Sequence, residues 1–565
     1  MIRIGGGSAF FIDSAMAVPQ LLREGVDAII LDYLAEGAMG LLGRMKLADP
    51  ASGFPSDFMD VHIGPFLKEI AASGTRILAN AGGVNPAGLA AVLRARIAEL
   101  GLDLTVACVA GDDLMARLGD FTDTRDMFNG APFPPAGVTS ANAYLGAFPI
   151  AAALAKGAQI VVTGRVVDSA LTLGLLIDRF GWGAHDFTQL AGGTLAGHLI
   201  ECGAQITGGT FTDWRAVESW ATIGAPIAEC HADGSCVITK PEGSGGLVSV
   251  GTVAEQMLYE VGDPQAYLVP DVTCDFSTVR IEQVGTDRVR VAGATGYPPT
   301  ATLKACATWD HGWRAIAYQP VIGKDAALKA AKQAEALFER GRLMLRGRNL
   351  GDWRRTEAVM IGAQHPDSEE VIAKLVVEHD VALAVQMFAR EQFAAISAMA
   401  PGTSVSFGVA VQPCMSLICF LVDKASVTAT LDGELCALPD VSGFDPAMIR
   451  RPDAPTAPPG DGIRTLESLA FARSGEKGET INVAVIARQP AYLPALRAAL
   501  TGEALREWLP DLGTFTTTAY DVPGCHALNL VLEGALPGGL NASQRLDPAA
   551  KSIAQRLMRF PVLTE

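Results

Sequence analysis

The chain has 565 residues, of which 49% are hydrophobic and 19% charged, a composition that packs into domains rather than staying disordered. That length leaves room for two to four domains. Its net charge of −17 argues against a nucleic-acid partner, no apolar run reaches the ~18 residues of a membrane span, and no basic-then-apolar leader opens the sequence.

The ten cysteines show no Cys-x-x-Cys. The tightest pairs, Cys230/Cys236 and Cys414/Cys419, lack a zinc-like second half, so reduced thiols in a cytoplasmic protein are expected.

The first ~200 residues repeat one figure, an apolar strand, a polar tip with glycine, then a helix, as in a mostly parallel, Rossmann-like α/β sheet. Ile2-Arg3-Ile4 runs into Gly5-Gly6-Gly7-Ser8, with Asp13 beyond. Ala28-Ile29-Ile30-Leu31 ends at Asp32, one turn before Glu36. Arg76-Ile77-Leu78-Ala79 ends at Asn80-Ala81-Gly82-Gly83, with Asn85-Pro86 next, and the run 104–109 ends at Gly111-Asp112-Asp113. After a Pro/Gly/Asp-rich excursion over 121–137, a helix is expected with Asn142 and Tyr144 near its start. Five strand ends, each with a carboxylate, amide or guanidinium, should then share one sheet edge, where α/β proteins bind ligands.

The fifth such strand opens the stretch 157–209, the expected active-site region. Its apolar run 158–162 stops at Thr163-Gly164-Arg165, with Asp168 before a helical pattern. About 30 residues on comes the glycine-bracketed segment Gly197-His198-Leu199-Ile200-Glu201-Cys202-Gly203-Ala204-Gln205. His198 and Glu201, three apart, can share a helix face and suit general acid–base work on a carbon beside a thioester or on a tertiary hydroxyl. The bland alternative is a hydrogen-bonded interior histidine beside a glutamate. Cys202 is a poor nucleophile, with no activating partner in view.

From 210 to 449 the pattern becomes α+β: a hairpin over 279–284 and 288–291, helices over 326–346 and 368–398, and a strand over 405–421. Residues 450–464, rich in Pro and Gly, read as a linker. The remainder, 465–565, reads strand, strand, helix (493–509), strand, strand, helix: a ferredoxin-like ββαββα domain.

Several motifs carry two readings. Gly5-Gly6-Gly7-Ser8 imitates a dinucleotide fingerprint, but Phe10 stands where the third glycine belongs, which favours a tight turn over phosphate binding. Asp32, Glu36, Asp112, Asp113 and Asp168 admit a hard cation such as Mg²⁺, or are helix caps, a role Asp13 and Asp168 fit well. Arg165 suits a substrate carboxylate or phosphate, or an ion pair with Asp168. Arg473-Ser474-Gly475-Glu476-Lys477-Gly478 offers an anion nest, or a charged hairpin tip.

The opening Ile-Gly-Gly-Gly-Ser-Ala-Phe with Asp13, Asp32-Tyr33-Leu34-Ala35-Glu36, Asn80 to Pro86, Thr163 to Asp168 and Gly197 to Gln205 together resemble the acyclic terpene utilisation (AtuA-type) family. So do Glu255-Gln256-Met257-Leu258-Tyr259-Glu260 and Pro270-Asp271-Val272, while 472–478 resembles the start of that family's ferredoxin-fold domain. Where relatives carry Asp-Arg this chain has Asp13-Ser14. The resemblance implies a part in breaking down citronellol- and geraniol-type compounds, whose intermediates are branched acyl-CoA esters.

The expectation is therefore an enzyme acting on a branched or carboxylated acyl-CoA, as a hydratase or carbon–carbon lyase, with CoA present only as part of the substrate. The expected catalytic set is Asp112, Asp113, Arg165, Asp168, His198 and Glu201. Gly6, Gly7, Asp13, Asp32, Glu36, Asn80, Asn85, Asn142, Gln205, Arg473 and Lys477 are expected to bind substrate. Alternatives are a non-catalytic subunit of an acyl-CoA-processing complex and a nucleotide-dependent enzyme. A homo-oligomer is expected.

Overall fold

A computed structural model describes residues 1–365, 367–454 and 462–564. Residues 455–461 of the expected linker therefore lie outside the described residues.

The first sheet is built on β1 (Ile2–Ser8), β2 (Ala28–Leu31), β3 (Arg76–Ala79) and β4 (Val106–Ala110), with β5 (Val138–Ala143) elsewhere and β6 (Ile160–Thr163) completing the parallel set. Its parallel order is β1-β2-β3-β6-β4. These short runs are buried and rich in Ile and Val, the signature of strands covered on both faces. All five carboxyl ends lie along one edge, as their alternation with helices predicts.

The sheet is nevertheless mixed rather than mostly parallel. On the β1 side, antiparallel β7 (Ile227–Cys230), β8 (Cys236–Thr239) and the hairpin Arg288–Ala292/Arg280–Gly285 extend it. On the β4 side it gains Thr430–Leu431 and Glu434–Leu435. A boundary at 209/210 would thus cut through one sheet. Distance along the chain hid this: β7 pairs with β1 from more than 200 residues away, and Thr430–Leu431 with β4 from more than 300.

The glycine run also departs from expectation. Gly5, Gly6 and Gly7 lie inside β1, not in a turn after it. A Cβ on Gly6 would fall 2.4 Å from the Ile200 carbonyl oxygen, so glycine here lets the strand touch the helix Phe187–Glu201.

A second, antiparallel sheet runs Arg355–Ile361, Glu370–His379, Thr302–Ile322, Val409–Asp423, and β5 also pairs with Thr302–Ile322. Asn142 is therefore in a strand and Tyr144 just beyond it, not at the start of a helix. Residues 368–398 split into the strand Glu370–His379 and the helix Ala382–Glu391. Val371, Ala373, Leu375 and Val377 alternate onto the core there, a period of two that the longer helical reading overrode. The helix Ala326–Arg346 forms where its spacing places it.

The C-terminal unit is a four-stranded antiparallel sheet, in the order Ala470–Lys477, Thr480–Ala487, Ala527–Glu533, Thr516–Val522, with helices on one face. The single helix expected over 493–509 is two, Leu493–Ala499 and Gly502–Trp508, broken where Thr501 caps the second. Hydrogen bonds tie the domain to the rest of the chain: Thr212 Oγ1 donates to the Ala472 carbonyl at 2.9 Å, and Asn529 Nδ2 to that of Val261 at 2.8 Å. This docking brings the far end of Ala470–Lys477 towards the parallel strand ends. Arg473 to Lys477 consequently form a strand rather than a turn. Among the described residues, no helix is long and apolar enough to cross a membrane.

Candidate active site

Four of the five parallel strands, β2, β3, β4 and β6, each deliver a polar group to the shared edge. Beyond β2, buried Asp32 accepts from Asn80 Nδ2 beyond β3 at 2.5 Å, while Asn80 Oδ1 takes the Tyr33 N–H at 2.7 Å. Beyond β4, Asp112 Oδ2 accepts the backbone N–H of Arg165 at 2.9 Å and Asn142 Nδ2 at 2.7 Å. Gly164 permits that approach, since a Cβ there would meet Asp112 Oδ1 at 2.3 Å. Beyond β6, Arg165 Nη1 donates to the Leu34 carbonyl and to Asp168 Oδ1, both at 2.7 Å.

The Arg165 guanidinium lies 4.2 Å from the centre of the Tyr144 ring, an arrangement worth on the order of 1–2 kcal/mol when desolvated. Tyr144 in turn donates to Glu36 Oε1 at 2.6 Å, and Lys304 Nζ donates to the same oxygen at 3.2 Å. Arg165 is the floor, with a side chain only 4% exposed; Asp168, Glu36, Lys304 and Lys477 keep 30, 21, 26 and 46% of theirs in contact with solvent. The cluster is thus a polar recess with a buried base and a charged rim.

Electrostatics separate its carboxyl groups. Burial raises Asp32 well above the usual carboxylate range, Asp168 adds to this and Arg165 opposes it. Burial pushes Asp112 up to about 6 despite its hydrogen bonds. Glu36 goes the other way: burial would raise it, but Lys304, Lys477 and Arg165 hold it well below the ordinary value. Glu260, which accepts from Lys477 Nζ at 3.0 Å, is the main reason that Lys477 sits well above its usual value, with Glu36 and Asp168 contributing and burial opposing.

His198 and Glu201 do share a helix face, at the end of Phe187–Glu201. His198 Nδ1 is 3.0 Å from Glu201 Oε1, and Nε2 is 3.2 Å from the Met257 carbonyl. A carbonyl only accepts, so Nε2 carries a proton and the remaining proton is shared between Nδ1 and Glu201. Burial raises Glu201 to about 7, and Asp168 and Lys477 are close enough to influence it. Its other oxygen, Oε2, is buried with no protein partner.

Other expected residues fall outside this recess. Asp113 caps its own loop through the Met115 N–H at 2.8 Å and faces Lys46 at 3.4 Å, 43% exposed. Asn85 caps the helix Pro86–Glu99 through the Gly88 N–H at 3.1 Å. Asp13 takes the N–H groups of Ala9 and Ser14 and so braces a loop rather than capping a helix; Asp168 bonds Arg165 and caps nothing. Gly6, Gly7 and Asp13 line a separate cavity of about 120 Å³ with Gly203 and Trp220. Gln205 keeps a buried, unpartnered Oε1 beside it in sequence. Arg473 is buried with its guanidinium 4.4 Å from the Tyr259 ring centre, on the docking face of the C-terminal sheet. A groove of about 980 Å³ along that docking face, lined by Arg280, Phe471, Arg488 and His526 among others, contains none of the expected residues.

The five carboxylates that admitted Mg²⁺ do not assemble: among the described residues no three His, Cys, Asp or Glu side chains are placed to hold a metal. Asp32, Glu36, Asp112 and Asp168 instead accept hydrogen bonds from Asn80, Tyr144, Lys304, Asn142 and Arg165.

Lys304, Cys306, Cys419 and Glu260 were missed from sequence. A lysine set among Leu303, Ala305 and Ala307 was the available signal, since a strand interior seldom carries an unpaired charge.

Residues 2–432 match the Acyclic terpene utilisation family protein AtuA, and residues 464–563 match the AtuA ferredoxin-like domain. No curated protein matches the chain.

Proposed function

The chain belongs to the acyclic terpene utilisation family, and from that membership we propose an enzyme of acyclic terpene or branched-chain acid breakdown that acts on a branched or carboxylated acyl-CoA. The reaction is water addition or loss, or cleavage of a carbon–carbon bond next to the thioester. One observation carries this reading: Glu201, held by His198 at 3.0 Å, keeps a buried oxygen without a partner, and burial pushes its carboxyl up to about 7 beside Asp168 and Lys477.

An acid–base group with a pKa near the working pH gives up and regains a proton with little cost. In hydration, Glu201 exchanges a proton with the carbon beside the thioester carbonyl while water adds to the next carbon. In cleavage, removing the hydroxyl proton of a β-hydroxy thioester breaks the bond between the α and β carbons. A ketone leaves, and the thioester enolate takes the proton back. His198 holds Glu201 in place and shares its proton. Lys304 and Lys477, the cations that reach solvent, are the groups that meet a substrate carboxylate. Arg165 is already bound to Asp168 and Leu34, so its role is to position Asp168 and Tyr144 rather than to clamp substrate.

The test is incubation of the full chain with branched 3-hydroxyacyl-CoA and 2,3-unsaturated acyl-CoA esters, with and without a terminal carboxylate, and mass spectrometry of the products. Interconversion or cleavage by the wild type, lost in folded Glu201→Gln, is expected. A folded wild-type chain that turns over none of them would overturn the proposal.

A further inference from the structure

Cys306 in Thr302–Ile322 lies directly opposite Cys419 in Val409–Asp423, and their sulfurs are 3.1 Å apart. The Cys419 N–H donates to Asp126 Oδ2 and its carbonyl accepts from Met127, both at 2.8 Å and both away from Cys306. The two cysteines are therefore a non-hydrogen-bonded cross-strand pair, the kind that brings Cα atoms to ~4.5 Å and side chains closest together. That spacing falls inside the ~4.4–6.8 Å a disulfide requires. The pair lies under the recess: Cys306 Sγ is 3.5 Å from the Tyr144 hydroxyl, and Lys304 projects from the same strand face two residues away.

We propose that Cys306 and Cys419 form a reversible dithiol–disulfide centre that reacts with small peroxides. The Cys306 sulfur attacks one peroxide oxygen, the O–O bond breaks, and the departing hydroxide takes a proton to leave as water. The resulting Cys306 sulfenic acid is attacked by the Cys419 sulfur, which forms the S–S bond and releases the second water. Two thiols lose two electrons, and hydrogen peroxide receives them. The roles follow from the surroundings. Burial would raise the Cys306 thiol, but the Cys419 S–H and the Lys304 ammonium hold it below the ordinary value. Cys419, raised by its hydrogen-bonded contact with Cys306 and by burial, resolves rather than attacks. Both side chains are buried, Cys306 at 8% exposure, which admits a molecule the size of hydrogen peroxide far more readily than a bulky disulfide.

Cys230 and Cys236 provide an internal control, since they too are buried and directly opposite across a strand pair, but no lysine acts on either thiol. The experiment treats the native full chain with a small excess of hydrogen peroxide, quenches with N-ethylmaleimide under denaturing conditions, and maps the peptides by mass spectrometry. A Cys306–Cys419 cross-link, lighter by two hydrogens, is expected to form first and to be reversed by dithiothreitol. In Cys419→Ser, Cys306 is expected to stop at the sulfenic acid and be trapped by dimedone. Recovery of Cys306 and Cys419 fully alkylated while other cysteines oxidise, or a Cys230–Cys236 link that forms as fast, would overturn the proposal. The readout needs no turnover, so it stands or falls apart from the acyl-CoA reading.

Discussion

The backbone N–H of Arg165 donates to the carboxylate of Asp112 at 2.9 Å, fastening the tip of β6 to the tip of β4. Because Asn142 donates to the same oxygen, strands of both large sheets meet at one side chain. The recess is therefore held by buried polar contacts, whose loss costs far more than a surface interaction.

Arg165→Ala should lower stability by about 3–5 kcal/mol, because it strips Asp168 and buried Asp32 of their compensating charge. Arg165→Lys should recover part of this, since it keeps the charge but not the planar guanidinium that stacks on Tyr144. Urea unfolding of the three proteins checks this; an Arg165→Ala chain as stable as wild type would show that the guanidinium does not hold the recess together.

Glu201→Gln should change how stability depends on pH. The carboxyl's folded value of about 7 lies above its unfolded ~4.3, so between those pH values the folded state holds the extra proton. Its contribution is fully present below pH ~4.3 and is lost as pH rises to about 7. The variant lacks this loss, so its stability relative to wild type should improve by roughly 1–3 kcal/mol from pH 4.5 to 8. Denaturation at both pH values decides it, and parallel curves would rule out the raised carboxyl.

Asn85→Ala separates scaffold from site. Loss of the cap on Pro86–Glu99 should cost about 1 kcal/mol, yet acyl-CoA binding should not change. Calorimetric binding weakened tenfold or more would return Asn85 to the ligand contacts.

Lys477→Ala tests whether the ferredoxin-like domain takes part. Its pair with Glu260 is nearly half exposed, so the stability change should stay within about 1 kcal/mol.

β2 and β3 were legible to the residue, because buried parallel strands are short runs of Ile, Leu and Ala between polar tips. The meeting of Asp32, Asn80, Asp112 and Arg165 followed from that alternation alone. Asn142 was misread because a short apolar run carries no clear period and its pairing with Thr302–Ile322 is decided by partners more than 150 residues away, whereas the period of two in Glu370–His379 was overridden by a longer helical pattern. Separation along the chain also hid the Lys304–Glu36 pair, 268 residues apart, and the Cys306–Cys419 contact, 113 apart: nothing local to either cysteine signals its partner. Asp13 and Asp113 looked like site residues because aspartates that brace loops share the sequence signature of those that bind ligands.

In the proposed binding mode a carboxylated acyl-CoA lies in the recess against Lys477. Isothermal titration of a branched, carboxylated acyl-CoA and of its uncarboxylated counterpart into wild-type and Lys477→Ala chains measures it directly. Wild type should prefer the carboxylated ester, and the substitution should weaken that ester about tenfold, some 1.4 kcal/mol, while sparing the other. Equal affinity of the wild type for both esters, unchanged in Lys477→Ala, would contradict that binding mode.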